Sequence, residues 1–288
     1  MNKGEETEWL YEIKPKGKLI DLNFKEIWRY RDLLVLFVKR DIVTVYKQTV
    51  LGPLYYLLQP LFTAITMTFV INGLANVETG TVPSFLFNLS GITLWTYFKE
   101  CLNSTSRTFR TNAGLFGKVY FPRFISPASQ VISGLFKYSI QLFIFFVFYM
   151  YFVMSEGASI SIGYTIYLFP LVIISTSFIA LGTGMIFSSM TTKYRDISIL
   201  INFGIGLLMY LSAVIYPLTL VKKKFPDYYW LVEYNPIAQL IEGYRYMLLN
   251  TGNPNVEGLL YSFGFSVVML LIGLAVFNKT EKTFIDTV

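Results

Sequence analysis

Two stripes of side chains carry the chemistry that this sequence can offer. Tyr55, Gln59, Phe62, Thr66 and Phe69 recur at steps of four, three, four and three, which is one continuous helical face. Phe203, Gly206, Tyr210 and Pro217 form a looser counterpart further along. Aromatic rings offer flat, low-entropy faces to sugar C–H groups, so a path for a glycan would use such a surface. The same stripe is also what a core or lipid-facing helix presents. A second stripe is polar: Gln130, Gly134, Lys137 and Gln141 share a face inside an apolar run. Polar groups at that depth must meet protein or water rather than lipid. The stripe therefore serves helix packing, with Lys137 bonded internally or snorkelling, or it lines a substrate path.

Other chemistries are excluded by what is missing. The sequence has no histidine and one cysteine, Cys101, so a Cys/His zinc site and an internal disulfide are both ruled out. No G-x-x-x-x-G-K-[ST] occurs, so the chain carries no P-loop for ATP. The glycine pairs of "GTG" (182–184) and "GIG" (204–206) lie in apolar runs and are expected to allow close helix packing. Glu100 and Asp196 each adjoin a basic residue, and charge pairing is their commoner explanation. General acid–base catalysis has little to work with here, and an ion-coupled carrier would keep ionisable groups near the midplane. No catalytic residue, metal ligand or bound cofactor is expected in this chain.

The elements that must position these stripes follow from composition. The chain has 288 residues, 54% hydrophobic and only 15% charged, against about 25% charged in soluble domains. A helical span needs about 20 apolar residues. Six segments qualify, roughly 51–72, 83–103, 128–153, 164–189, 197–217 and 258–278. They predict an all-α integral membrane protein. Residues 1–50 form an N-terminal region and 51–288 a transmembrane domain. The first fifty residues hold no apolar core with a cleavage site, so the first span is expected to act as its own insertion signal.

Lysine and arginine set the orientation. The first fifty residues hold ten of them and 99–123 hold five, whereas 74–82 and 154–163 hold none. Lys193 and Arg195 follow in the next connection, and Lys279 and Lys282 in the tail. Both ends are therefore expected in the cytoplasm. The loop after the fifth span breaks the alternation, because it carries Lys222, Lys223 and Lys224.

Two segments lie outside the spans. In 22–48, Phe24, Ile27, Trp28, Leu34, Val38, Ile42 and Val45 recur at helical spacing with charges away from them. That pattern is an amphipathic helix, either lying in the membrane interface or solvated. Segment 218–250 is broken at Pro226 and Pro236 and rich in aromatics. It reads as two short re-entrant helices on the outer side, with a plain external loop as the alternative.

"YRDLLVLFVKRDIVTVYKQTVLGPLYYLLQP" (30–60) resembles the opening of the membrane subunit of ABC-2 type polysaccharide exporters, closest to O-antigen export permeases. "KVYFPRFISP" (118–127), "KYRDI" (193–197), "SAVIYP" (212–217) and "YNPIAQLIEGYR" (234–245) look like further landmarks of that family. "EWLYEIKPKGKLIDLNFKEIWRYRDLL" (8–34) is similar to the N-terminal extension of the O-antigen type.

The resemblance implies a homodimeric channel in the bacterial inner membrane, with two copies of a separate ATPase that binds ATP and magnesium. The cargo it implies is an undecaprenyl-linked polysaccharide, and membrane lipids rather than nucleic acid are the other partner. The first and fifth spans would line the channel through Tyr55, Gln59, Phe62, Thr66, Phe69, Phe203 and Tyr210. The 22–48 helix and the 105–123 connection would meet the ATPase through Arg40, Lys47, Arg107, Arg110 and Lys118. Tyr216, Pro217, Trp230, Asn235, Pro236 and Arg245 would belong to a gate. Lys137 departs from the acidic or neutral residue that relatives tend to have in the third span. Gly52 and Pro53 would turn the interface helix into the first span, since Pro is tolerated at a helix start. Capsule and teichoic acid exporters share this architecture. An integral glycosyl- or acyltransferase and an ion-coupled lipid carrier are the readings from other classes.

Overall fold

Apolar runs this long form helix because lipid offers backbone groups no partner. The computed structural model describes residues 24–47, 53–155, 160–194, 196–252 and 255–284, and among them there is no strand. The expected Gly52-Pro53 corner and the N-terminal extension lie outside the described residues, as do Arg195 and the side chains of Lys47 and Tyr55.

The described part of segment 22–48, residues 24–47, is two helices, α1 (Phe24–Arg29) and α2 (Arg31–Lys47), with a turn at Tyr30. The first expected span is α3 (Pro53–Met67), continued by a π-helix, Thr68–Leu74. The second is α4 (Ser84–Ser106). Two single-turn helices, α5 (Thr108–Thr111) and α6 (Ala113–Phe116), lead into the third, α7 (Ile125–Ser155). The fourth is a 3₁₀ turn, Tyr164–Leu168, running into α8 (Phe169–Lys193). The fifth is α9 (Ile197–Leu211). Three short helices follow: α10 (Leu218–Lys224), α11 (Tyr229–Glu233) and α12 (Pro236–Leu249). The last is α13 (Val256–Phe284).

Among the described residues, four helical stretches are long and apolar enough to cross a membrane: Tyr56–Leu74, Ile125–Ser155, Tyr164–Lys193 and Val256–Glu281. Helix α4 is long but more polar, and it can be so because it is central. It packs against α8, α7, α3 and α12, and its Asn88, Ser90 and Thr93 are fully buried.

Helix α9 is shorter than the 197–217 expectation. Its 15 residues extend about 22 Å, less than the roughly 30 Å hydrocarbon core. The helix stops because Ala213 takes a φ of +51°, after which Ser212, Ala213, Val214 and Ile215 turn into the protein interior.

The α8–α13 contact is the most extensive among the described residues, and glycines make it close. A Cβ on Gly182 would strike the carbonyl of Met269, and one on Gly273 would strike the backbone of Gly182. The 182–184 glycines thus pack helices as expected. Gly204 and Gly206 do not: among the described residues a Cβ on either meets nothing within 4 Å.

One end of the bundle gathers the basic connections. Phe109 stacks on Phe277 at 4.5 Å, and Asn112 donates to Ser126 Oγ at 2.8 Å. Arg123 donates to the Glu281 carbonyl at 2.9 Å, with the Glu281 carboxylate at 3.6 Å. These contacts hold the α5–α6 corner against the end of α13. Helix α2 lies on α7 beside it, with Phe37 edge-on to Phe121.

Candidate functional site

Pro60 sits inside α3. It has no N–H, so the carbonyl four residues back, Tyr56, lacks its usual helical partner. Gln141 of α7 supplies one, donating from Nε2 to Tyr56 O at 3.2 Å. One turn toward the basic end, Lys137 places its ammonium 3.4 Å from Glu100 of α4 and 4.4 Å from the centre of the Tyr56 ring. Gly134 leaves room for Cys101 and the Tyr97 ring of α4. Gln130 donates to Asp41 of α2 at 2.8 Å. Each member of the polar stripe on α7 therefore meets a different neighbour, and the stripe docks α7 onto α2, α4 and α3. Glu100 finds its partner across the helix interface, whereas the sequence pointed to its neighbour Lys99.

The pair borders a cavity of about 370 Å³ between α3, α4, α7 and α9, whose walls include Gln59, Trp95, Lys99 and Met209. The side chains of Lys137 and Glu100 keep 23% and 24% of their surface open. Replacing Lys137 with methionine would leave the Glu100 carboxylate with no cation at that distance. The expected loss is about 2 kcal/mol, below the 3–5 of a fully buried pair because water still reaches both groups. Thermal unfolding in detergent measures it. The K137M/E100Q double variant should recover most of the loss, and no recovery would mean that the pair is not the source.

The expected path residues fall on the outside of the isolated chain. Gln59 and Thr66 are exposed, and Phe62 and Phe69 are 62% and 65% exposed. Phe203 and Tyr210 of α9 are 66% and 55% exposed. Helix α3 packs on α4 and α7, and α9 on α8 and α4, so both keep a free face. The structure brings Gln59 to the cavity beside Met209, but not to Phe203 or Tyr210. It adds Trp95, Lys99 and Glu100, which the sequence reading did not single out for this wall, although Thr96, Lys99, Glu100, Asn103 and Ser104 recur at helical spacing along α4 and line the same cavity.

Beyond the end of α9 lies a second polar centre. Arg245 of α12 has no exposed surface. Its Nη1 donates to the carbonyls of Ala213 at 2.8 Å and Tyr216 at 3.3 Å, and its Nη2 donates to the carbonyl of Val214. The guanidinium carbon lies 3.9 Å over the Phe87 ring of α4, with Glu242 at 3.8 Å on its own helix. Gly91 of α4 makes the space, since a Cβ there would collide with Arg245 and with Val214 O.

Asn235 reinforces the joint. Its Nδ2 donates to Leu211 O at 3.0 Å and Ser212 Oγ at 3.1 Å, while its Oδ1 accepts from Ile237 N–H at 3.0 Å and caps α12. Pro236 fills the first helical position. The Tyr216 hydroxyl donates to Tyr210 O, and Pro217 precedes α10. Five of the six expected gate residues thus meet or flank the break after α9. Trp230 stands apart and is exposed.

At the basic end, Arg107, Arg110 and Lys118 are exposed. Arg107 and Arg110 flank a shallow hollow with Thr111 and Ser198. Arg40 is committed locally, bonding Asp41 at 2.8 Å and stacking on Phe37 at 4.7 Å.

The profile of the ABC-2 type transporter family matches residues 32–249 of this chain. Two proteins of Klebsiella pneumoniae, each named O-antigen export system permease protein RfbA, are 30% and 27% identical over 260 and 256 residues. Each alignment covers 88% of this chain and 94% of the relative. A protein of the same name from Myxococcus xanthus is 22% identical over 264 residues, 92% of this chain and 98% of its own.

Proposed function

The chain belongs to the ABC-2 type transporter family, and from that premise we propose that two copies form a channel for a lipid-linked polysaccharide, O-antigen in the first instance. Members of the family are membrane subunits that normally work with a separate ATPase. The observation that carries the reading is the free aromatic face of α3 and α9, on helices that pack well along their other sides. A face with Phe62, Phe69, Phe203 and Tyr210 outward suits a second copy with a glycan threaded between. The open glycines Gly204 and Gly206 leave space on the same helix for such an approach.

On this reading the chain spans the bacterial inner membrane six times, with both ends in the cytoplasm. Helix α9 is a shortened fifth span, and α10 to α12 dip into the outer leaflet as a gate. Helix α2 lies along the inner headgroups, where Val35 and Leu36 face outward. It and the α5–α6 corner receive the ATPase, with Arg107, Arg110 and Lys118 as the first contacts. Nucleotide-driven movement there tilts α3 against α4, and the undecaprenyl-linked cargo moves along the widened aromatic face. Tyr55 and Lys47 take the places given to them above, in the path and at the ATPase.

The test is purification with whatever ATPase accompanies the chain. Recovery of an equimolar ATPase subunit, with hydrolysis that depends on this chain, is the expected result. A chain that purifies folded and alone, and that stimulates no such ATPase, would overturn the reading in favour of a transferase.

A further inference from the structure

The three lysines that break the charge alternation, Lys222, Lys223 and Lys224, form the last turn of α10. All three are exposed, and none makes an ion pair among the described residues. Lys222 lies 5.7 Å over the Tyr229 ring. The acids nearby, Asp227 and Glu233, are exposed and sit on the following turns, leaving the cluster with an excess of positive charge.

Directly beside the lysines is a groove of about 460 Å³, bounded by Tyr210 at the end of α9 and by Tyr216, Val221, Phe225, Tyr228 and Leu231. Its surface is hydrocarbon apart from tyrosine hydroxyls, and the hydroxyl of Tyr216 is already committed to Tyr210 O. Trp230 and Tyr234 are exposed on the adjoining turns, as amphipathic rings are at headgroup level. An apolar groove, an aromatic rim and a turn with an excess of positive charge in one short segment are complementary to a molecule with an apolar chain and an anionic head.

We propose that this groove binds one anionic glycerophospholipid, with an acyl chain along the groove and its phosphate on Lys222–Lys224. The lipid wedges the α10–α11 pair against the end of α9, the same joint that Arg245 ties from inside. Placing it in the outer leaflet rests on the topology proposed above, whereas the site itself does not. A zwitterionic lipid would fill the groove equally well but gain little from the lysines. Each lysine near a headgroup plane is worth roughly a fivefold gain in affinity for an anionic lipid.

The experiment uses the full-length chain in detergent and two lipids with matched chains, phosphatidylglycerol and phosphatidylcholine. Retention is read by native mass spectrometry and stabilisation by thermal unfolding. The wild type should prefer phosphatidylglycerol, and K222Q/K223Q/K224Q should lose that preference, by about fivefold or more in affinity. Val221→Trp, which fills the groove, should weaken both lipids alike. Equal binding of the two lipids by the wild type would overturn the proposal, as would a preference that survives in the triple variant. If Val221→Trp changes the oligomeric state while lipid retention stays constant, the groove belongs to a second copy and the proposal falls. Neither readout involves an ATPase or transport, so failure here leaves the transporter reading standing, and the reverse also holds.

Discussion

Arg245→Met should cost this chain on the order of 3–5 kcal/mol, the usual penalty for removing one side of a buried charged cluster. A thioether fills part of the volume but returns nothing to the carbonyls of Ala213, Val214 and Tyr216. It also strands the Glu242 carboxylate, whose Oε2 has no hydrogen-bond partner among the described residues. Arg245→Lys should recover only part of the loss, because an ammonium keeps the charge but lacks the planar fork that spans several acceptors. Adding Glu242→Gln to Arg245→Met should restore the share due to the stranded carboxylate and leave the carbonyl share missing. Ala213→Gly is the informative companion. It keeps every bond and relieves a φ of +51° on a non-glycine residue, worth about 1 kcal/mol, but it also loses a fully buried methyl and adds a glycine's freedom to the unfolded chain, so it should melt close to the wild type. Unfolding followed by tryptophan fluorescence orders the four. A methionine variant that melts within a degree of the wild type would mean that Arg245 does not hold the joint.

That joint marks the limit of what the sequence could tell. Both of its halves were visible, as "SAVIYP" and "YNPIAQLIEGYR", because family landmarks announce themselves as strings. Their union was not visible, because Arg245 recognises main-chain carbonyls and every residue carries one. The residues 213, 214 and 216 matter here for their backbone path rather than their side chains. The same reasoning explains the fifth span. Hydropathy runs unbroken from Ile197 to Pro217, so apolar length alone predicts a full crossing. The helix nonetheless ends at Leu211, where a buried positive charge offers the carbonyls of the next turn a better partner.

The polar stripe on α7 shows the opposite case. Spacing placed Gln130, Gly134, Lys137 and Gln141 on one face, and the need of polar groups for partners at that depth left protein or water, but not lipid, for them to face. Which partner each finds was beyond spacing. Pro60 was a hint in plain view, since a proline inside a helix frees one carbonyl, and Gln141 answers it. The aromatic stripe on α3 was legible as a stripe, and Phe62 and Phe69 of it are exposed on the isolated chain. The glycines of "GIG" have the pattern of packing glycines, yet among the described residues a Cβ on either would meet nothing.

The two glycine pairs should therefore respond in opposite ways. Gly182→Leu and Gly273→Leu each drive a side chain into the backbone of the facing helix, at Met269 and Gly182 respectively. Backbone atoms cannot rotate aside as a side-chain end can, so α8 and α13 must separate along the largest contact among the described residues. The cost should be about 3 kcal/mol or more, seen as aggregation on size exclusion and a lowered thermal midpoint for whatever remains folded. Gly204→Ala and Gly206→Ala add a methyl to open space on α9, and in a single chain they should be neutral or gain up to about 1 kcal/mol in helix propensity. If α9 faces a second copy, that gain will come with impaired pairing or export, because the methyls then fill a surface the other chain approaches. Intact folding with lost export would separate a rigid α4–α8–α13 scaffold from a working face on α3 and α9. Intact folding with intact export would show that the face of α9 bearing these glycines is not approached closely, and the path would have to run along α3 and the cavity beside Glu100 and Lys137.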